Sequence, residues 1–114
     1  MWIFLNNAFV SAVQHNDDPE LLVVRARVEG HLERFFGPGI DVERHPERDY
    51  LFRTVVSKLM FEMVLSDHAA KIDYGNFKDS IGFEDNAYHH ACHDVWSDMN
   101  RLQGKVHNAG AYVR

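Results

Sequence analysis

The hydrophobic periodicity of this chain shifts lastingly near Ser57, and that shift narrows the folds open to it. Before Ser57 the apolar residues mostly alternate, apart from a short helical stretch at Gly30 to Phe36; after it they recur every three or four positions. Alternation sends side chains to opposite faces of a strand, whereas the longer period gathers them on one face of a helix. Strands first and helices last predict an α+β fold, not the interleaved order of a parallel sheet. The expectation is a single α+β domain over residues 1–104. It has an antiparallel sheet of about five strands, a short helix after the third strand and two C-terminal helices packed on one face. Residues 105–114 are expected to form a flexible tail.

Met1 to Leu5 is an apolar run ended by Asn6-Asn7, a pair that tolerates positive φ in tight turns. Ala8 to Gln14 sets Phe9, Ser11 and Val13 against Ala8, Val10 and Ala12. Asn16-Asp17-Asp18-Pro19 is a turn. Leu21 to Arg27 follows, with Leu22, Val24 and Ala26 opposite Val23, Arg25 and Arg27. Three strands on short polar links predict a meander. Gly30 to Phe36 predicts a short helix stopped by Gly37-Pro38-Gly39. Ile40 to Arg44 and Tyr50 to Val56 supply two more strands around a polar loop. Ser57 is a candidate N-cap for a helix from Lys58 to Ile72. Its stripe is Leu59, Met60, Met63, Val64, Asp67 and Ala70, widened by Phe61, Leu65 and Ile72. Phe77 to Ile81 predicts a helical turn. Asp85 caps a last helix that Gly104 ends.

Composition removes several classes of function. With 17 acids against 12 lysines and arginines, the formal charge is -5, which disfavours non-specific nucleic-acid binding and suits a basic partner. The single cysteine forms no internal disulfide, so nothing calls for an oxidising compartment. The apolar N-terminal run is too short for a signal sequence or a membrane span. The expected setting is cytoplasmic, without membrane association, and no cofactor is implied.

Three groups of residues are candidates for chemistry. Ala87 to Trp96 holds three histidines and the cysteine. On a helix, His89 and His93 lie at i and i+4, a spacing that offers two imidazoles to one metal, although zinc needs a further ligand. Cys92 falls instead with Tyr88, Val95, Met99 and Leu102, whose steps of four and three mark a buried helical stripe. Adjacent Cys92 and His93 point about 100° apart, so they do not form a thiolate–imidazole pair. The second group, Asp73, Tyr74, Asn76, Phe77, Lys78 and Asp79, lies on an inter-helix connection, where Tyr74 and Phe77 are candidate anchors for a protein partner. The third is Arg25, Arg27 and Arg53. Arg25 and Arg27 share a strand face; with Arg53 they would form a cationic patch able to fork onto phosphate or carboxylate. Acids such as Glu43 would otherwise pair with them across strands. No nucleophile elbow, phosphate-binding glycine loop or dinucleotide fingerprint occurs.

Blocks across the first hundred residues resemble a short bacterial and phage protein family of no assigned activity. They are Met1-Trp2-Ile3-Phe4 with Asn7 to Ser11, Leu21 to Arg27, Asp49-Tyr50 with Phe52-Arg53, Ile72 to Ser80, and His93 with Val95-Trp96-Ser97 and Met99. The resemblance implies a small domain and no catalytic signature; His89, His90 and Cys92 lie outside it. The leading expectation is therefore a non-enzymatic protein-binding module, monomeric or homodimeric. A mobile-element inhibitor of a host complex, of the anti-CRISPR kind, is one version. The alternatives are a small metal-dependent hydrolase using His89 and His93, and phosphate or nucleic-acid binding at Arg25, Arg27 and Arg53.

Overall fold

A computed structural model of the chain describes residues 1–113, with side chains described through residue 107. The chain divides into two compact units, Met1–Gly75 and a second beginning at Asn76. The first carries β1 (Trp2–Leu5), β2 (Ala8–Gln14), β3 (Leu21–Ala26), α1 (His31–Phe36), β4 (Glu43–Arg44), β5 (Phe52–Ser57) and α2 (Lys58–Ala70). The sheet is antiparallel with strand order β1-β2-β3-β5-β4. The α+β class, the five strands, the helix after strand three and the helical C-terminal part are as the sequence predicts. The first three strands form the expected meander. β5 then inserts between β3 and the two-residue edge strand β4, which is shorter than the predicted Ile40 to Arg44.

Strand alternation builds the core. Val10 and Ala12 of β2, Val24 and Ala26 of β3, and Phe52 and Val56 of β5 face Leu32 and Phe35 of α1 and Phe61 of α2. α1 is short because glycine closes it. Gly37 takes φ 109° and donates its N–H to Glu33 O at 2.7 Å, a positive-φ cap that an L side chain enters only with strain. Asn6 and Asn7 still make the two-residue link that pairs Leu5 with Ala8. Neither takes positive φ, however, so the turn is not of the primed type. The next link is tied by side chains. Gln14 Nε2 donates to the carbonyls of His15, Asp18 and Leu21, and His15 Nδ1 accepts from the amides of Asp17 and Asp18.

His31 is fully buried, and its Nδ1 accepts a hydrogen bond from Phe9 N at 3.0 Å. Met1 and Ala12 exchange hydrogen bonds across β1 and β2, so by alternation the Phe9 amide faces away from β1, toward β3. β3 ends before it can reach that amide. The imidazole therefore supplies the acceptor that the ladder lacks.

The Ser57 hydroxyl caps α2, accepting from Met60 N at 3.0 Å. The predicted stripe on this helix is buried only in part. Leu59, Met60 and Met63 are exposed, whereas Phe61 is buried and Val64 and Leu65 are partly buried against the core. One turn further on, His68 Nε2 meets Phe35 O at 2.7 Å and its ring lies over the Phe35 ring. Apolar residues occupy two overlapping arcs of this helix, and only the arc aimed at α1 by the preceding strand is used.

In the second unit a single 3-10 turn, Lys78–Ser80, precedes α3 (Asn86–Val113). Two expectations need correction. α3 does not stop at Gly104, which lacks the positive φ of a left-handed cap; the helix runs through Lys105 to Val113, and Arg114, the end of the expected tail, lies outside the described residues. A glycine inside a helix costs only about 1 kcal/mol relative to alanine, too little to end it by itself. The stripe is also buried only in part: Tyr88 and Cys92 are buried, but Val95, Met99 and Leu102 are exposed. No described helix is long and apolar enough to cross a membrane.

Candidate functional site

The sheet face opposite the core carries one row of residues drawn from all five strands. Trp2 pairs with Ser11, Ser11 with Arg25, Arg25 with Arg53, and Arg53 with Glu43. Two arginines directly opposite each other repel, so this arrangement costs stability unless other groups compensate. Arg25 is partly compensated. Its Nη2 donates to the buried Ser11 hydroxyl at 2.8 Å, and its guanidinium lies 4.4 Å from the centre of the Tyr50 ring. Arg27 lies 3.9 Å from the same ring centre. Tyr50 is buried between these two cations, where its quadrupole attracts both.

The three predicted arginines thus share one face but not one state. Arg27 is already occupied. It forks onto Asp49, with Nη1–Oδ1 at 3.0 Å and Nη2–Oδ2 at 3.3 Å, and also donates to the Asp49 carbonyl. The fork holds the Asp49 carboxyl below its usual range and raises the Arg27 guanidinium. Arg53 lacks such a partner. Burial first, then the charges of Arg48 and Arg25, pull its guanidinium below the ordinary value, while Glu43 and Glu47 oppose them. The Nε atoms of both Arg25 and Arg53 are buried without any hydrogen-bond acceptor.

Beside Arg53 opens a cavity of about 490 Å³, bordered also by Arg48, His45, Asp17, Asp41 and Glu43. His45 is clamped at its rim, with Nε2 2.9 Å from Glu43 Oε2 and Nδ1 3.1 Å from Glu47 Oε1. Both carboxylates raise the imidazole, Glu43 more than Glu47. Glu43 faces Arg53 across the strand pair and also binds His45. Its carboxylate is therefore shared between Arg53 and the His45 ring.

The other two predicted groups are arranged differently. Among the described residues, no three or more His, Cys, Asp and Glu side chains converge as metal ligands. His93 stacks on Trp96, with ring centres 5.6 Å apart. His89 borders a separate cavity of about 410 Å³ with Lys78, Asp79 and Phe83. The Cys92 thiol is buried and burial pushes its pKa up, opposite to what an activated thiolate needs. Desolvation likewise raises the Tyr88 hydroxyl.

The predicted partner-binding segment is split between the two units. Exposed Asp73 and half-buried Tyr74 border a cavity of about 360 Å³ with Ile3, Leu65 and Ile72 in the first unit. In the second, Asn76 Oδ1 accepts from Asp79 N, and the Phe77 carbonyl accepts from the Ser80 amide and hydroxyl. Lys78 Nζ sits 4.1 Å from the centre of the Trp96 ring. Asn76, Phe77 and Ser80 thus shape the turn before α3.

Sequence reasoning passed over Ser11, Asp49 and Tyr50. Alternation does place Ser11 on one face with Phe9 and Val13, so a polar residue in an otherwise apolar row was the available signal. Nothing local links Asp49 and Tyr50 to Arg25 and Arg27, because the loop that presents them returns from β4. No family model, curated protein or solved structure matches the chain.

Proposed function

We propose that the chain is a non-enzymatic binding module whose site is the Arg25–Arg53 pair on the open sheet face. The site takes a single oxyanion group, carboxylate or phosphate, presented by a ligand or a protein partner. One observation carries this reading: Arg25 and Arg53 are paired residues on one face of β3 and β5, their charges oppose each other, and each has a buried Nε–H that lacks an acceptor. A buried donor left unsatisfied costs roughly 1–3 kcal/mol, more when the group is charged. An oxyanion between the two arginines removes that cost and their mutual repulsion, and guanidinium geometry suits bidentate recognition. Ser11 and Tyr50 hold Arg25 in place in advance.

The rim limits what fits. Asp17, Asp41 and Glu43 border the cavity beside Arg53, so a polyanion such as nucleic acid meets like charge around a narrow basic centre. Titrating the labelled protein with inorganic phosphate and with glutarate, while following the arginine Nε–Hε resonances, tests this reading. Saturable shifts at Arg25 and Arg53, weakened about tenfold in R53K, are expected because lysine loses the fork. Unmoved resonances at about 50 mM of either anion would refute the site, since this is weaker than millimolar binding of about 4 kcal/mol.

A further inference from the structure

We infer that α3 is a self-association surface: a second copy of this chain docks antiparallel against the exposed stripe Val95–Met99–Leu102–Val106. The inference is independent of the anion site. Along α3 the apolar positions Tyr88, Cys92, Val95, Met99, Leu102 and Val106 recur in steps of four and three, the seven-residue repeat of a paired-helix seam. The first two are buried, while the remaining four are 37%, 57%, 47% and 64% exposed, and neighbouring Trp96 is 50% exposed. A helix of 28 residues is about 42 Å long. Within its unit, the 3-10 turn contacts α3 and its Lys78 reaches the Trp96 ring, while Val95, Met99, Leu102 and Val106 stay exposed.

The charges beside the stripe choose the partner and its direction. Val95 and Leu102 hold the second apolar position of each repeat; Met99 and Val106 hold the first. Asp98 and Lys105 immediately precede Met99 and Val106, so both lie on the same flank of the seam. If two copies run antiparallel, Val95 layers with Val106 of the other copy and Met99 with Leu102. In that register Asp98 of each copy faces Lys105 of the other, giving two opposite-charge contacts by symmetry. If they run parallel in register, Asp98 faces uncharged Gln103 and the complementarity is lost. Asp98 also binds Arg101 within its own helix at 2.8 Å, an exposed pair that one carboxylate oxygen leaves room to supplement.

The available area sets the strength. The four aliphatic side chains and Trp96 expose on the order of 450 Å² per copy, about half of what each partner buries in a standard stable interface. Self-association is therefore weak and strongly concentration-dependent.

Sedimentation equilibrium of the full chain, run from about 5 to 500 μM, tests the inference across the range expected of a weak dimer. The apparent mass is expected to rise from the 13.2 kDa protomer toward twice that value. D98K and K105D each place like charges at both flanking contacts, and each alone is expected to associate about tenfold more weakly. Mixed together, they pair opposite charges again, and the heterodimer is expected to recover wild-type affinity. Both substitutions are at exposed positions, and circular dichroism checks that α3 persists. A wild-type mass that stays at the protomer value would overturn the inference, as would association indifferent to the charge exchange. Trp96 fluorescence showing a buried indole in the monomer would also overturn it, because the stripe would then be covered by the chain itself.

Discussion

Replacing His31 by leucine removes the acceptor that completes the β2 ladder. The residue is 2% exposed, and its Nδ1 receives the Phe9 amide at 3.0 Å. Leucine fills a similar volume but accepts nothing, so one buried backbone donor is left without a partner. Such an orphan costs about 1–3 kcal/mol, taken here as about 2. Total stability at this size is on the order of 6–17 kcal/mol, so the change is a substantial fraction of it. In urea, with a slope of about 1.5 kcal/mol per molar, the midpoint should fall by about 1.3 M at unchanged slope. The thermal midpoint should fall by about 8–15 °C. Hydrogen exchange locates the effect: the Phe9 amide should lose protection while amides in the centre of β3 keep theirs relative to the lowered global stability. H31A adds a cavity to the orphan and should cost roughly 2 kcal/mol more than H31L. A loss below about 0.5 kcal/mol in H31L, with Phe9 protection unchanged, would refute the assigned role.

Three further outcomes follow from particular contacts. S57A removes the acceptor of the Met60 amide at the start of α2 and should cost about 1 kcal/mol in chemical denaturation. Y50A empties the buried slot between Arg25 and Arg27 and should cost about 3–5 kcal/mol, whereas Y50F, which keeps the ring, should cost much less. His45, raised by Glu43 and Glu47, should titrate by NMR above the ordinary value of 6.5. Because its folded value is the higher one, its stabilising contribution is fully present below the ordinary value and disappears as pH rises through the folded value. H45Q should accordingly match wild-type stability at alkaline pH and fall slightly short of it at acidic pH.

The fold was legible because its two periods are separated along the chain. Val10, Val24, Ala26 and Phe52 alternate cleanly, and all four are core residues. Helical phase was harder to read. On α2 two apolar arcs overlap, and only the packing of Phe61 on Phe35 decides between them. On α3 the stripe through Val95, Met99 and Leu102 has the spacing of a buried seam, yet its own chain leaves it exposed. A periodic stripe states that a face is apolar, not what covers it. The arginine site was legible as a shared face for Arg25 and Arg27, but not as a site. Strand order sets Arg53 beside Arg25, and that order depends on β5 crossing past β4. Long-range placement of this kind leaves no local mark, and neither does the orphan state of a buried Nε.

The position of β5 has a kinetic meaning. β1, β2 and β3 join through short hairpins, but β5 reaches β3 only after α1, β4 and their connections have been accommodated. Closing that longer loop carries an entropic cost that local hairpins avoid, and non-local pairings of this kind slow folding. β5 is thus expected to dock after the meander has formed. Arg53 arrives with it, so the two arginines are first brought together late on the folding route. Under the proposed function, an oxyanion held between them would bind the completed sheet and not its earlier forms. By mass action it would then raise the stability of the first unit, and slowed unfolding in its presence would measure occupancy.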